Sequence, residues 1–220
     1  MITVFSDDHH LHFGKYELID GRFVTPFECP QRMDHIMQRI ADVKLGEVVE
    51  PQEFGLDPIA RIHAPDLIEF MRTAHTSWKQ RHGDTDALPI CWPSRTFRQK
   101  PPMEIDGRLS YYSFDAGTPI TAGTWQAITS SVNVALTGVE LIQGGQKTVF
   151  SACRPPGHHA AFDIYGGYCF FNNAAIAAAY LQTKWFLQRV AIIDIDVHHG
   201  NGTQHIFEED DTVFYYSIHQ

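Results

Sequence analysis

Residues 192–204, IIDIDVHHGNGTQ, place Asp194, Asp196, His198 and His199 within six positions at the end of an aliphatic run. Because side chains alternate along a strand, Asp194, Asp196 and His198 face one side while Ile195 and Val197 face the other. Asp196 and His198 can then grip one metal ion together, since a carboxylate oxygen and an imidazole nitrogen are ordinary zinc ligands. Gly200 and Gly202 would let the chain turn sharply away. The bland alternative is a hydrated strand end with incidental histidines.

A second constellation lies at residues 154–173, RPPGHHAAFDIYGGYCFFNN, where a Pro-Pro-Gly turn holds the tandem His158 and His159. Two histidine pairs, each following a strand of one sheet, are hard to explain by packing. Clustered imidazoles lose hydration and repel one another when charged. They suit a metal-assisted hydrolase, in which an ion polarises a carbonyl and a histidine moves protons.

The elements that must position these groups follow from periodicity. Strands are expected at residues 2–5, 147–153, 189–196 and 212–218, with a brief one in GEVVEP. Helical spacing starts at Pro30 and runs through Met33, Ile36, Met37, Ile40 and Val43 to Gly46; a second helix starts at Pro65, a third covers 124–143 and an alanine-rich fourth covers 174–186. Strand, helix, strand with nearly continuous apolar strands predicts a parallel sheet covered on both faces, hence one α/β domain. Ligands of such sheets bind outside the carboxyl ends of the strands, where both constellations fall. The residues after the first strand read as a long polar loop, and 82–119 as another, with no sustained period. A loop of that length in a compact domain is usually functional or an interface.

The balance of 26 acidic to 17 basic residues, a formal net charge of -9 over 220 residues, argues against a nucleic-acid partner and suits a small cationic substrate. Cys29, Cys91, Cys153 and Cys169 are scattered with no CxxC spacing and read as reduced and mostly buried. With no signal-peptide pattern and no membrane span, a soluble cytoplasmic protein is expected.

RPPGHHA, GGYCFFNN and DIDVHHGNGTQ, in this order, resemble the histone deacetylase superfamily of the arginase-like α/β fold. The opening FSDDHHLHFGKYEL and the middle segment ending in SYY most resemble its bacterial acetylpolyamine amidohydrolase branch. The resemblance implies a three-layer fold with a central parallel sheet and a zinc-dependent amidohydrolase that releases acetate and a free amine. It implies zinc ligation by Asp196 and His198, His159 as general base, His158 oriented by Asp194, and Asn201 facing His159. It further implies structural potassium or sodium ions. One would sit at Asp194, Asp196, His198, Ser217 and Ile218, and another at main-chain oxygens of Phe207, Asp210 and Val213. Gly167 and Tyr168 would line the substrate tunnel, Glu17 and Asp106 would put carboxylates near its mouth, and 82–119 would build a homodimer that narrows the entrance.

The superfamily takes a third zinc ligand, an aspartate, and a carbonyl-binding tyrosine from later strands, and no motif for either stands before Gln220. The resemblance therefore implies a C-terminally truncated catalytic domain at residues 1–220, inactive by itself. Three readings compete with an acetylpolyamine deacetylase. A protein deacetylase would act on acetyl-lysine at the same site; a non-catalytic module would bind cationic ligands. A two-metal ureohydrolase needs an aspartate where Gly200 stands, which favours a single catalytic metal. Two aspartates and a histidine would accept Fe(II) or Co(II) as well as zinc.

Overall fold

The computed structural model describes residues 1–94 and 96–220. Strand β1 (Ile2–Val4) is followed by a 3-10 turn (Asp7–Leu11), an antiparallel hairpin of β2 (Glu17–Ile19) and β3 (Arg22–Val24), helix α1 (Pro30–Asp42) and the short β4 (Val48–Val49). Helices α2 (Asp57–Ala60), α3 (Pro65–His82), α4 (Ile105–Tyr112) and α5 (Thr124–Gln143) lead to β5 (Val149–Ser151). The chain closes with α6 (Asn173–Trp185), β6 (Val190–Asp194), α7 (Asn201–Phe207) and β7 (Val213–Ser217). The architecture is α/β, with parallel pairing throughout the strands that carry the site.

Helix α5 forms as its spacing predicts: Ile128, Val132, Leu136 and Val139 repeat on one face, and all are buried. It packs against β5 and α6. Beneath it, Phe70 of α3 stacks on Tyr112 of α4 at 4.7 Å, and Tyr165 stacks on Phe170 at 5.5 Å. This aromatic layer anchors the segment after His159 to the helical core.

Several expectations need correction. The supposed polar loop after β1 contains the 3-10 turn and the β2-β3 hairpin, closed by Asp20 and Gly21, both with positive φ. The 82–119 segment contains α4, whose Ile105, Leu109 and Tyr112 are buried, so only its remainder is irregular. Among the described residues the parallel strands form two sheets, β4-β1-β5 and β6-β7, rather than one. The strands preceding the two histidine pairs are therefore not hydrogen-bonded neighbours. Nor is the second sheet covered on both faces. Helices α6 and α7 pack on one, while Ile193, Ile195, Phe214 and Tyr216 are exposed on the other. All four cysteines are free, yet Cys91 is exposed and only Cys169 is fully buried.

Candidate active site

The Arg154–Gly157 stretch and the turn after β6 meet although their strands do not pair. His158 Nδ1 donates to Asp194 Oδ2 at 2.9 Å. Tyr215, on the inward-facing parity of β7, donates its hydroxyl to the same oxygen at 3.0 Å. The His158 carbonyl accepts from the Thr203 amide in the first turn of α7 at 3.0 Å, so α7 pins the main chain of the histidine pair. Burial alone would raise the Asp194 carboxyl; the bonds from His158, the Asp196 amide and Tyr215 outweigh it and hold the group below the usual carboxylate range.

His159 is built differently. Its Nδ1 donates to Asn201 Oδ1 at 2.6 Å, which commits that nitrogen and leaves the Nε2 lone pair free. Burial lowers its pKa; the Asn201 bond opposes this, and His158 and His198 add to the lowering. The ring is thus neutral near pH 7. Adjacent imidazoles, 4.0 Å apart between centroids, end with unlike partners, a carboxylate for one and an amide for the other.

Asp196 and His198 extend past β6 on the same side as Asp194. Asp196 Oδ1 accepts from the His198 amide at 2.8 Å and stands 3.1 Å from His198 Nδ1. Burial would raise the Asp196 carboxyl, but the His198 amide and the nearby His158 lower it on balance. Of the second histidine pair only His198 faces the cleft, because His199 turns away to Gln204 at 2.7 Å.

A cleft of about 790 Å³ joins His158, His159, Asp196 and His198 to Gly167, Tyr168, Glu17, Glu28 and Asp115. Gly167 is required twice over: its φ is 57°, and a Cβ there would overlap the His159 ring. Gly200 has an ordinary φ of -74° and does not serve as a left-handed turn residue. Its importance is proximity, since a Cβ would strike Tyr215 Oη, Asp194 Oδ2 and His158 Nδ1. A side chain at position 200 would therefore push apart the Tyr215, Asp194 and His158 groups that meet there.

Asp115, which the sequence reading overlooked, sets the opposite wall. Its Oδ1 accepts from Gly117 N at 3.0 Å, and its Oδ2 accepts from Thr118 Oγ1 at 3.1 Å and from the Gly167 amide. Thr118 Oγ1 in turn accepts from Tyr168 N at 2.9 Å. Asp115→Ala should destabilise the chain by about 1–3 kcal/mol, the cost of stranding partly buried donors. Hydrogen exchange followed by mass spectrometry should show the amides of 166–169 losing protection; unchanged protection there would contradict the assignment.

The residues matched by the histone deacetylase domain model are 26–220, nearly the whole chain. The chain belongs to the histone deacetylase family. It is 56% identical to acetylpolyamine amidohydrolase 2 of Pseudomonas aeruginosa and 42% identical to acetylpolyamine amidohydrolase of Mycoplana ramosa, in each case over 100% of this chain. The alignments cover 63% and 64% of those relatives, so the chain spans somewhat under two thirds of their length. A crystal structure of acetylpolyamine aminohydrolase from Burkholderia pseudomallei superposes with a TM-score of 0.91 at 33% identity, covering 100% of this chain and 63% of the other.

Within this deacetylase-family chain the remaining site expectations divide. Glu17 lines the cleft, but as a fully buried wall residue whose Oε1 accepts from Phe27 N at 3.1 Å. Tyr168 stands beside it, with a positive φ of 66° and a hydroxyl whose pKa is raised by burial and by the Glu17 carboxylate. Asp106 does not line the cleft of its own chain. It is paired with Arg81 at 2.7 Å and with His82 at 2.7 Å, between α3 and α4. Asp194 and Ser217 are register partners, the Asp194 carbonyl accepts from Ile218 N at 3.1 Å, and Ser217 Oγ bonds His219. Phe207, Asp210 and Val213 border one surface hollow, where the Asp210 amide donates to the Phe207 carbonyl.

Proposed function

We propose that this cleft is the acid–base side of a zinc-dependent deacetylase that hydrolyses acetylated polyamines to acetate and a free amine. The observation that carries the reading is the split pair, His158 on a carboxylate and His159 on an amide, facing Asp196 and His198 across one cleft. Two donors about 2.0–2.1 Å from one tetrahedral zinc stand roughly 3.3 Å apart. The 3.1 Å between Asp196 Oδ1 and His198 Nδ1 fits that spacing. Fe(II) and Co(II) suit the same donors. When bound, the ion supplies Lewis-acid polarisation of the scissile carbonyl.

The chain's own residues supply the proton transfers. His159 Nε2 accepts a proton from the attacking water, its Nδ1–H being held by Asn201. His159 then passes that proton to the leaving nitrogen, beside His158 oriented by Asp194, so water and amide become acetate and amine. The net charge of -9 supports a cationic substrate. That preference sets acetylpolyamines ahead of acetyl-lysine peptides. The backbone around Asp194 and Ser217, and the Phe207, Asp210 and Val213 hollow, are assigned to structural potassium or sodium. Exposed Ile90, Phe97 and Met103 support a homodimer through 82–119.

Among the described residues no third histidine, cysteine or carboxylate clusters with Asp196 and His198. A catalytic zinc typically takes three protein ligands, so the reading needs one more than Asp196 and His198 supply, and an oxyanion donor, whose loss alone typically costs about 100 to 1,000-fold. The test is zinc-dependent acetate release from N-acetylputrescine, measured beside the Pseudomonas relative. Weak release is expected, lowered a further ~100 to 10,000-fold by His159→Ala. Turnover equal to the relative's would overturn the need for further groups. Polyamine binding with no acetate release at all would favour the non-catalytic module, and a preference for acetyl-lysine peptides would overturn the substrate class.

A further inference from the structure

A second group of metal-type ligands lies in the 3-10 turn after β1, outside the cleft. Ser6 caps this turn by accepting from Asp8 N at 3.3 Å, and the turn brings one ligand atom each from Asp7, His9 and His10 to within 4.8 Å of one another. Helix α1 places Asp34 beside the two histidines of this trio, on the His Nε2 side. Its Oδ1 is 3.0 Å from His10 Nε2 and 4.0 Å from His9 Nε2.

The polar bookkeeping of this cluster does not close without a cation. His10 Nδ1 is 3.2 Å from the Asp7 carbonyl, which can only accept, so this nitrogen carries the hydrogen and a neutral ring aims its Nε2 lone pair at a carboxylate oxygen. For His10 alone, half-exposed, a proton from water would settle that contact. His9 is the deciding residue. It is 3% exposed, and neither ring nitrogen has a hydrogen-bond partner, a costly state for a buried polar group. Its Nε2 is too far from Asp34 for a hydrogen bond, yet 4.0 Å is within the range that two ligands of one ion close with a small side-chain adjustment. The His9 and His10 ring centroids lie 3.8 Å apart, with the rings tilted by 38°.

We propose that Asp7, His9, His10 and Asp34 bind a divalent transition-metal ion of the zinc or cobalt type, separate from the Asp196 and His198 position. Two imidazoles select against calcium and magnesium, which take oxygen ligands. Two carboxylates balance the charge of the ion. The Arg154 guanidinium, which donates to the His9 carbonyl, repels it, but Glu28 neutralises that charge at 2.8 Å. The bound ion cross-links the turn to α1 across 24 residues and stiffens the main chain at His9. It acts as a structural clamp and takes no part in the proton transfers of the cleft.

The experiment is Co(II) titration of the full chain carrying Asp196→Ala and His198→Ala, which removes the cleft donors. One equivalent is expected to give a visible d–d absorption and a saturable rise in Tm. Adding His10→Asn, at a half-exposed position that leaves the core intact, should weaken that uptake at least ~100-fold, more than loss of an outer-shell partner costs. Asp34→Asn should weaken it in the same direction. Absence of stoichiometric Co(II) uptake in the Asp196→Ala, His198→Ala chain overturns the proposal. So does uptake that neither His10→Asn nor Asp34→Asn diminishes, because the ion would then sit on other histidines.

Discussion

Replacing Arg154 with methionine is expected to destabilise the protein by about 3–5 kcal/mol, the usual cost of breaking a buried ion pair from one side. Arg154 and Glu28 each expose 3% of their side chains, and Arg154 Nε donates to Glu28 Oε1 at 2.8 Å. The guanidinium also donates to the carbonyls of His9 and His12, so its loss strands a carboxylate and two main-chain acceptors together. Burial already raises the Glu28 pKa, and Arg154 is the main opposing influence. Without it Glu28 takes up a proton more readily, and the deficit of Arg154→Met relative to wild type should shrink as pH falls from 7 to 5. Urea midpoints at both pH values measure this. Adding Glu28→Gln should restore a large part of the loss; an Arg154→Met chain as stable as wild type would contradict the account.

Acidification from pH 7 to 5 should cost about 4 kcal/mol through two buried histidines that do not line the cleft. His63 Nδ1 donates to the Ala161 carbonyl at 2.8 Å, and its Nε2 accepts from Asn172 N at 2.9 Å, an arrangement that only the neutral ring can make. Burial lowers His63 to about 4, despite favourable main-chain carbonyls, and lowers His12 to about 3, with Arg154 adding to the effect. The unfolded chain protonates both near 6.5. Between 6.5 and these lowered values the folded state binds fewer protons than the unfolded one. Stability is therefore complete above about 6.5 and declines below it, by up to about 1.4 kcal/mol per pH unit for each ring. Denaturant midpoints at pH 7, 6 and 5 follow the decline, and a flat profile would refute it. His63 matters beyond its own bonds: Asn172 caps α6 through Ala175 N and bonds Ala160 and Thr203, so protonation would loosen the support beneath His159.

The site was more legible than the sheet. His158, His159, Asp196 and His198 stood out by residue type, Asp194 and Asn201 gained their places through the resemblance, and the structure brings all six together. Tyr215 shares the strand parity of Ser217 and Val213, so alternation along TVFYYS was a signal for it. Asp115 and Arg154 gave no such signal for the cleft, because the contacts that tie them to it, Asp115 to Gly167 and Arg154 to Glu28, span 52 and 126 residues. The β2-β3 hairpin announced itself in LIDGRFV, where Asp-Gly is a strong two-residue turn, but three-residue strands are too short for alternation to stand out. Helix α4 was hidden likewise, by eight residues that include Gly107. That β5 and β6 do not pair is a property of the assembled layers, and strand propensity carries no record of it.

The Arg154 contacts also set an order of events during synthesis. The arginine reaches Glu28 across 126 residues, His12 across 142 and His9 across 145. On a ribosome adding ~5–20 residues per second, the amino-terminal segment waits on the order of ten seconds for this anchor to be made. Until then Glu28 has no reason to leave water, and the turn, the hairpin and the start of α1 remain open to proteases and chaperones. The first part of the chain to be made is thus among the last to be locked in place.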